Sequence, residues 1–63
     1  MSNLQIMRRK RGLTQAELAE RSQVSLRIIQ HYEQRYRDIN RAEVRTVVRL
    51  ADALHCDVKD IIE

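Results

Sequence analysis

The protein has 63 residues and a net charge of +3, and 43% of its residues are hydrophobic. We expect a chain of this length to form one small domain, residues 1–63, because a second domain would have no room for a core of its own. The single cysteine, Cys56, excludes an internal disulfide and is typical of a reducing compartment. Because no stretch resembles a signal peptide or a membrane span, the sequence predicts a cytoplasmic protein.

The composition favours helices, since proline is absent and glycine occurs once. The first helix is predicted from about Asn3 to Arg11. Ser2 can cap its start, and Leu4 and Met7 form an inward edge at a spacing of three residues. Gly12 follows as the expected stop.

The segment Thr14–Glu33 predicts two short amphipathic helices with a tight break between them. Thr14 and Glu17 have the spacing of a capping box, in which each side chain bonds the backbone N–H of the other residue. The helix should therefore begin at about Gln15. Leu18 then falls on its inward face.

The break lies at residues 22–25, where Val24 supplies one buried side chain and Ser25 can cap a new helix. In that helix, Ile29 and Tyr32 are three residues apart and share the inward face. The side chains predicted to point away from the core are Leu26, Arg27, Gln30, His31 and Gln34. We interpret the pair of helices as a helix-turn-helix, whose outward arginine, glutamine and histidine suit hydrogen bonding to base edges.

The segment after this pair has no hydrophobic period over residues 34–38, which predicts a loop, and Ile39 is expected to return to the core. Asn40 and Glu43 repeat the capping-box spacing. The longest helix is therefore predicted from about Arg41 to Leu54. Its expected inward stripe is Val44, Val47, Ala51 and Leu54.

The chain ends in an apolar stretch that predicts a fifth, short helix. Asp57 and Asp60 are placed to open it, and Val58, Ile61 and Ile62 give it an apolar side. We expect one of the two isoleucines to face the core and the other to contact a second copy of the chain. The alternative is that both isoleucines cover the domain's own core.

Charge is unevenly distributed along the chain. Residues 1–49 carry eleven basic and five acidic side chains, whereas residues 50–63 carry Lys59 and four acidic side chains. The basic part contains the helix-turn-helix, as expected when one face of a domain meets a polyanion. The coincidence of charge and motif distinguishes this bias from an ordinary solvated surface.

The sequence resembles the lambda-repressor and Cro-like (XRE) helix-turn-helix family over nearly its whole length. The residues that carry the resemblance are Gly12-Leu13-Thr14-Gln15, Glu17-Leu18-Ala19, Val24-Ser25, Ile29, Glu33, Asp38-Ile39-Asn40 and Leu50-Ala51-Asp52-Ala53-Leu54. The resemblance implies an all-α, compact five-helix fold with the helix-turn-helix at its second and third helices. The chain departs from the family pattern at Gln23, where glycine is usual, and at Leu26 and Ile28, where polar residues are usual.

The family resemblance further implies sequence-specific binding of double-stranded DNA by a small transcriptional regulator, most simply a repressor, without catalysis or a cofactor. The recognition helix, about Leu26–Gln34, would enter the major groove. The residues expected to contact bases are Leu26, Arg27, Gln30 and His31. The residues expected to contact phosphates are Gln15, Ser25, Gln34, Arg35, Arg37 and Arg41. A structural ion pair between Arg8 and Glu33 is also implied.

Two residues leave the interpretation open. Leu26 and Ile28 could contact thymine methyl groups, or Ile28 could pack toward the core. They could instead dock a partner protein such as a toxin or a sigma factor, which would make the domain a protein-interaction module on a helix-turn-helix scaffold. Steep salt dependence of duplex binding separates these two functions.

Other chemistry has little support in the sequence. His31, His55 and Cys56 are too few and too scattered for a closed zinc site, so no metal is expected. The serines are explained as helix caps, and no enzyme activity is expected. A single short recognition helix reads few base pairs, so we expect a weak homodimer built through residues after about Asp52 and the loop near Tyr36.

Overall fold

Four α-helices and two 3₁₀ turns make up the fold in a computed structural model that describes residues 1–63. The helices are α1 (Asn3–Lys10), α2 (Gln15–Ser22), α3 (Leu26–Glu33) and α4 (Val44–Ala53), and the 3₁₀ turns cover Ile39–Arg41 and Val58–Asp60. The all-α class and the pairing of α2 with α3 agree with the sequence analysis. The predicted fifth helix is corrected to a 3₁₀ turn.

Each of the first three helices begins at the predicted cap. The Ser2 hydroxyl accepts a hydrogen bond at the start of α1, and the Ser25 hydroxyl accepts one from the backbone N–H of Ile28 at the start of α3. At α2 both bonds of the capping box between Thr14 and Glu17 are present, at 2.9 and 3.0 Å. These caps satisfy backbone donors that a helix leaves unpaired and thereby fix where each helix starts.

The turn between α2 and α3 forms without glycine. Gln23 adopts the left-handed conformation there, with φ of 60°, and its side chain amide donates to the carbonyl of Glu20 at 3.1 Å. Left-handed backbone is costly for a residue with a Cβ, and this local hydrogen bond offsets part of the cost. The departure from the family pattern at Gln23 therefore leaves the geometry of the turn intact.

The start of α4 differs from the prediction. The Asp38 carboxylate accepts from the backbone N–H of Asn40 at 2.9 Å and begins a 3₁₀ turn that buries Ile39. The expected capping box is absent, because the Asn40 side chain instead accepts from the backbone N–H of Glu63 at 2.7 Å. The helix therefore begins at Val44, which is 75% exposed and does not join the inward stripe.

The core lies where all four helices and the second 3₁₀ turn meet. Its six fully buried large side chains are Leu4, Leu18, Ile29, Leu50, Leu54 and Ile61. Ile61 is thus the isoleucine that faces the core, while Ile62 packs partly against it. None of the helices combines the length and hydrophobicity needed to cross a bilayer.

Candidate nucleic-acid interface

Helix α3 presents a polar stripe on the side opposite to the core. Ile29 is fully buried and Tyr32 nearly so, which fixes the rotation of the helix about its axis. Residues spaced by three and four along a helix share a face, so the opposite side carries one continuous set of side chains. This set, called here the outward face of α3, consists of Arg27, Gln30, His31 and Gln34. Arg27 and Gln34 are exposed, and Gln30 and His31 are half-buried.

The half-buried members of this face keep free hydrogen-bonding atoms. Neither the Gln30 amide nor His31 Nε2 has a partner within the chain, and no buried side-chain nitrogen or oxygen of the protein lacks a partner. These atoms are therefore open to solvent. An amide can donate and accept, and an arginine guanidinium can donate two parallel hydrogen bonds. These are the groups that hydrogen-bond purine edges in a major groove.

The two apolar residues at the start of α3 have different positions. Leu26 is 40% exposed, at the edge of the outward face. Ile28 is half-buried: part of its side chain packs against the core, and part lines a surface groove beside the start of α3. Leu26 is thus the more exposed of the two apolar side chains.

A positively charged groove lies beside the start of α3. It has a volume of about 610 Å³ and runs between the α2–α3 turn and the N-terminal half of α4. Its lining includes Gln23, Ser25, Arg37, Arg41, Thr46 and Arg49, together with the acidic Asp38 and Glu43. Three of the residues expected from the sequence to contact phosphates, Ser25, Arg37 and Arg41, thus lie together in one groove.

Arg49 and Thr46 belong to this groove and were not singled out in the sequence. They are three residues apart and so share a face of α4. The spacing of Thr46 and Arg49 can be read from the sequence. It indicates that they line a groove only once the position of α4 beside α3 is known. The Arg41 and Arg49 side chains make no hydrogen bond or ion pair within the chain, which leaves their donors free.

The loop after α3 is anchored on that helix. Arg37 Nε donates to His31 Nδ1 at 3.2 Å, and the backbone N–H of Tyr36 donates to the His31 carbonyl at 2.8 Å. The rings of His31 and Tyr36 meet edge to face, with centroids 5.8 Å apart. The loop therefore holds one residue of the outward face in a defined orientation.

A buried polar cluster lies at the other side of α3. Arg8 donates to the Glu33 carboxylate through Nε at 2.7 Å and through Nη2 at 3.0 Å, and its Nη1 donates to the Leu13 carbonyl at 2.8 Å. The Gln15 amide donates to the same carboxylate at 3.0 Å. The structure thus contains the ion pair between Arg8 and Glu33, and it adds Gln15, so that α1, α2 and the end of α3 are tied together.

The remaining expected phosphate contacts occupy varied surroundings. The Gln15 amide has two N–H groups, and one of them is left after the bond to Glu33. Ser25 and Gln34 are exposed at the two ends of α3. Arg35 points toward the chain termini instead of the groove, since its Nη2 lies 3.4 Å from Glu63 Oε1 and from the carbonyl oxygen of Met1.

The residues considered for metal or thiol chemistry lie elsewhere. No group of three or more histidine, cysteine or acidic side chains is arranged to hold a metal ion. Cys56 is half-buried beyond the end of α4, where burial, and then the nearby carboxylate of Asp60, raise the pKa of its thiol. The thiol is therefore held in its less reactive, protonated form.

Comparisons with known proteins address the family of the chain. A sequence model of the helix-turn-helix family matches residues 4–61, which cover α1 from its second residue, the other three helices and both 3₁₀ turns. Searches of curated proteins and of solved structures found no match to the chain. The family assignment therefore rests on the sequence model together with the observed fold.

Proposed function

The chain belongs to the XRE/Cro-like helix-turn-helix family, whose domains bind DNA and are typically not enzymes, and from this premise we propose that it is a sequence-specific transcriptional regulator. In this proposal α3 enters the major groove of double-stranded DNA, and occupation of an operator represses transcription. The observation that carries the proposal is the outward face of α3, where Arg27, Gln30 and His31 keep polar atoms that have no partner in the protein.

The roles of individual residues follow from the chemistry of base edges. Arg27 would donate to guanine O6 and N7, and Gln30 would pair with adenine N6 and N7. Leu26 would contact a thymine methyl group at the edge of the helix. His31 would contribute a further base contact from the last turn of α3.

Phosphate contacts would flank α3 on both sides. The N-terminus of α2 with Gln15, and the Ser25 cap of α3, offer donors next to partial positive helix ends. Arg37, Arg41 and Arg49 line the groove beside the start of α3, to which Ser25 also belongs. Gln34 and Arg35 complete the set proposed from the sequence, although Arg35 would first have to leave Glu63.

We propose a two-fold dimer as the working unit, since two recognition helices read half-sites about 34 Å apart and together supply the specificity that one lacks. The contact between Arg35 and Glu63 brings the loop near Tyr36 and the C-terminal residues to one edge of the domain. Tyr36 is 75% exposed there. Because residues 50–63 are net acidic, the dimer would be weak and would form mainly on DNA.

Binding at increasing salt concentration tests the proposal. A duplex selected from a random pool should bind with a log–log salt slope of roughly −0.9 per neutralised phosphate, so about six contacts per dimer cost on the order of a thousandfold between 50 and 200 mM salt. Arg41→Gln should reduce the magnitude of the slope by about one per protomer. A matched control is Lys10→Gln, since Lys10 lies in a separate depression beside Asp52, Asp57 and Asp60 and should leave the slope unchanged.

A flat salt response would favour the protein-interaction module instead. Because Ile28 packs partly against the core, Leu26 would be the main apolar anchor on α3 in that alternative. Sedimentation equilibrium with and without the selected duplex tests the dimer. A complex of one protein per palindromic duplex that persists at excess protein would contradict it.

A further inference from the structure

The contact between Arg37 and His31 fixes which ring nitrogen of the histidine carries the proton. The Arg37 guanidinium has only donors, and its Nε lies 3.2 Å from His31 Nδ1. His31 Nδ1 must therefore act as the acceptor. In a neutral imidazole with an acceptor at Nδ1, the proton is on Nε2.

The same ring nitrogen that carries the proton is the one turned to the solvent. His31 Nε2 has no partner in the protein and is not buried. The Tyr36 ring lies edge to face with the imidazole, at an interplanar angle of 74° and with centroids 5.8 Å apart, and gives it a second contact. At His31 the outward face of α3 thus presents an N–H donor and not an acceptor.

We propose that Arg37 is a positioning residue that holds His31 as the Nε2–H tautomer, so that His31 selects a base with a hydrogen-bond acceptor at its major-groove edge. This inference depends on the proposed DNA-binding function and specifies one part of its readout. The bases with such an acceptor are guanine, adenine and thymine, whereas cytosine presents its N4 amino group as a donor. His31 therefore disfavours cytosine as the contacted base at one position of each half-site.

Removal of Arg37 would abolish the discrimination of His31 against cytosine. A free imidazole exchanges its proton between the two nitrogens, and the Nδ1–H form would offer Nε2 as an acceptor to the cytosine amino group. Arg37 thus acts on specificity through His31, in addition to any phosphate contact made by its free Nη atoms. A residue that acted through charge alone would change affinity equally for every base.

The matched pair of variants is Arg37→Met and Arg41→Met. Both remove one arginine from the same groove, but only Arg37 bonds to His31. Binding is measured on the selected operator and on duplexes with each base in turn at every half-site position. We expect the native protein and Arg41→Met to disfavour cytosine at one position by about three- to tenfold, the range of a single hydrogen bond. Arg37→Met and His31→Ala should lose that preference.

Nitrogen NMR of the free protein at pH 8 tests the tautomer without DNA. The native protein should show a protonated Nε2 and an unprotonated Nδ1 at His31, and Arg37→Met should show a mixture. A dominant Nδ1–H form in the native protein would overturn the inference. Duplex binding with an unchanged cytosine preference in Arg37→Met would overturn it while leaving the proposed function in place, and absence of salt-dependent duplex binding would overturn both.

Discussion

Arginine occurs in two contrasting settings in this domain. Arg8 is 9% exposed, and its guanidinium makes three hydrogen bonds inside the protein, two of them to Glu33. Arg27, Arg41 and Arg49 are exposed, and their side chains make no hydrogen bond or ion pair within the chain. The same side chain is therefore part of the internal framework at one site and a free donor at the other.

The difference shows how a small basic domain divides its charge. A buried guanidinium without its carboxylate would be very costly, so Arg8 and Glu33 hold the helices in place but offer nothing to a ligand. The exposed arginines contribute little to folding, and their charge stays available for phosphates and bases. Substitutions in the two settings should therefore separate stability from binding.

Glu33→Gln should have the largest effect, and it should act on stability. The Glu33 carboxylate accepts from Arg8 twice and from Gln15 once, so the neutral amide leaves the Arg8 charge buried without its counterion. We expect a loss of about 3–5 kcal/mol in the free energy of unfolding, which is much of the stability of a domain this size. Chemical denaturation followed by circular dichroism measures it.

The double substitution Arg8→Met with Glu33→Leu is the control for that experiment. It removes both charges, and we expect it to recover a large part of the loss, since apolar residues of similar volume often replace a buried ion pair well. An unchanged melting temperature in Glu33→Gln would mean that the cluster is not part of the framework, and the contrast between the two settings would fail.

Arg27→Ala tests the other setting. Because Arg27 has no partner in the protein, its removal should leave the free energy of unfolding nearly unchanged. Affinity for the selected operator should fall by about 1–3 kcal/mol, with a much smaller loss on random duplex. Equal losses on both duplexes would make Arg27 a phosphate contact, and a large loss of stability would contradict its assignment as a free donor.

The features that the sequence predicted correctly are local. The caps at Ser2 and Ser25 and the box of Thr14 with Glu17 depend on residues within one turn of each other, so spacing alone identifies them. The burial of Ile29 follows in the same way from helical periodicity. The Arg8–Glu33 pair spans 25 positions and has no local pattern, and it could be expected only through the family resemblance.

The features that the sequence missed depend on packing between elements. The spacing of Asn40 and Glu43 predicted a helix cap. The Asn40 side chain instead bonds Glu63, and no local pattern could indicate this partner because it is 23 positions away. Arg49 has no local sequence pattern of its own, and it joins the groove only because α4 lies beside the start of α3. The last helix was expected because its apolar residues recur at helical spacing, but only three residues, Val58–Asp60, form the turn that brings Ile61 into the core.

Glu63→Gln should have a small effect and so sharpen the comparison between ion pairs. Arg35 and Glu63 are 3.4 Å apart, with side chains 61% and 30% exposed. Exposed pairs contribute about 0–1 kcal/mol, and the amide of the variant can still accept from the backbone N–H of Asn3. We expect a change of less than about 1 kcal/mol by denaturation. A loss as large as that of Glu33→Gln would show that burial is not what distinguishes the two pairs.

Glu17→Gln should have the smallest effect, and that effect should depend on pH. Hydrogen bonds from the Thr14 backbone N–H, and then from its hydroxyl, hold the pKa of Glu17 below its ordinary value of 4.5. A carboxyl whose pKa is depressed by folding stabilises the protein above its unfolded pKa, and this contribution is lost as the pH falls through the folded value.

The native protein should therefore be slightly more stable than Glu17→Gln at pH 7, and the two should converge as the pH falls below 4.5. Thermal melts between pH 7 and pH 3 measure this difference. Glu20→Gln is the matched control on the same helix, because the Glu20 side chain makes no hydrogen bond. The stability difference between Glu20→Gln and the native protein should not show the convergence expected for Glu17→Gln. A constant difference for Glu17→Gln across the range would mean that the capping box acts through geometry alone, as a glutamine can.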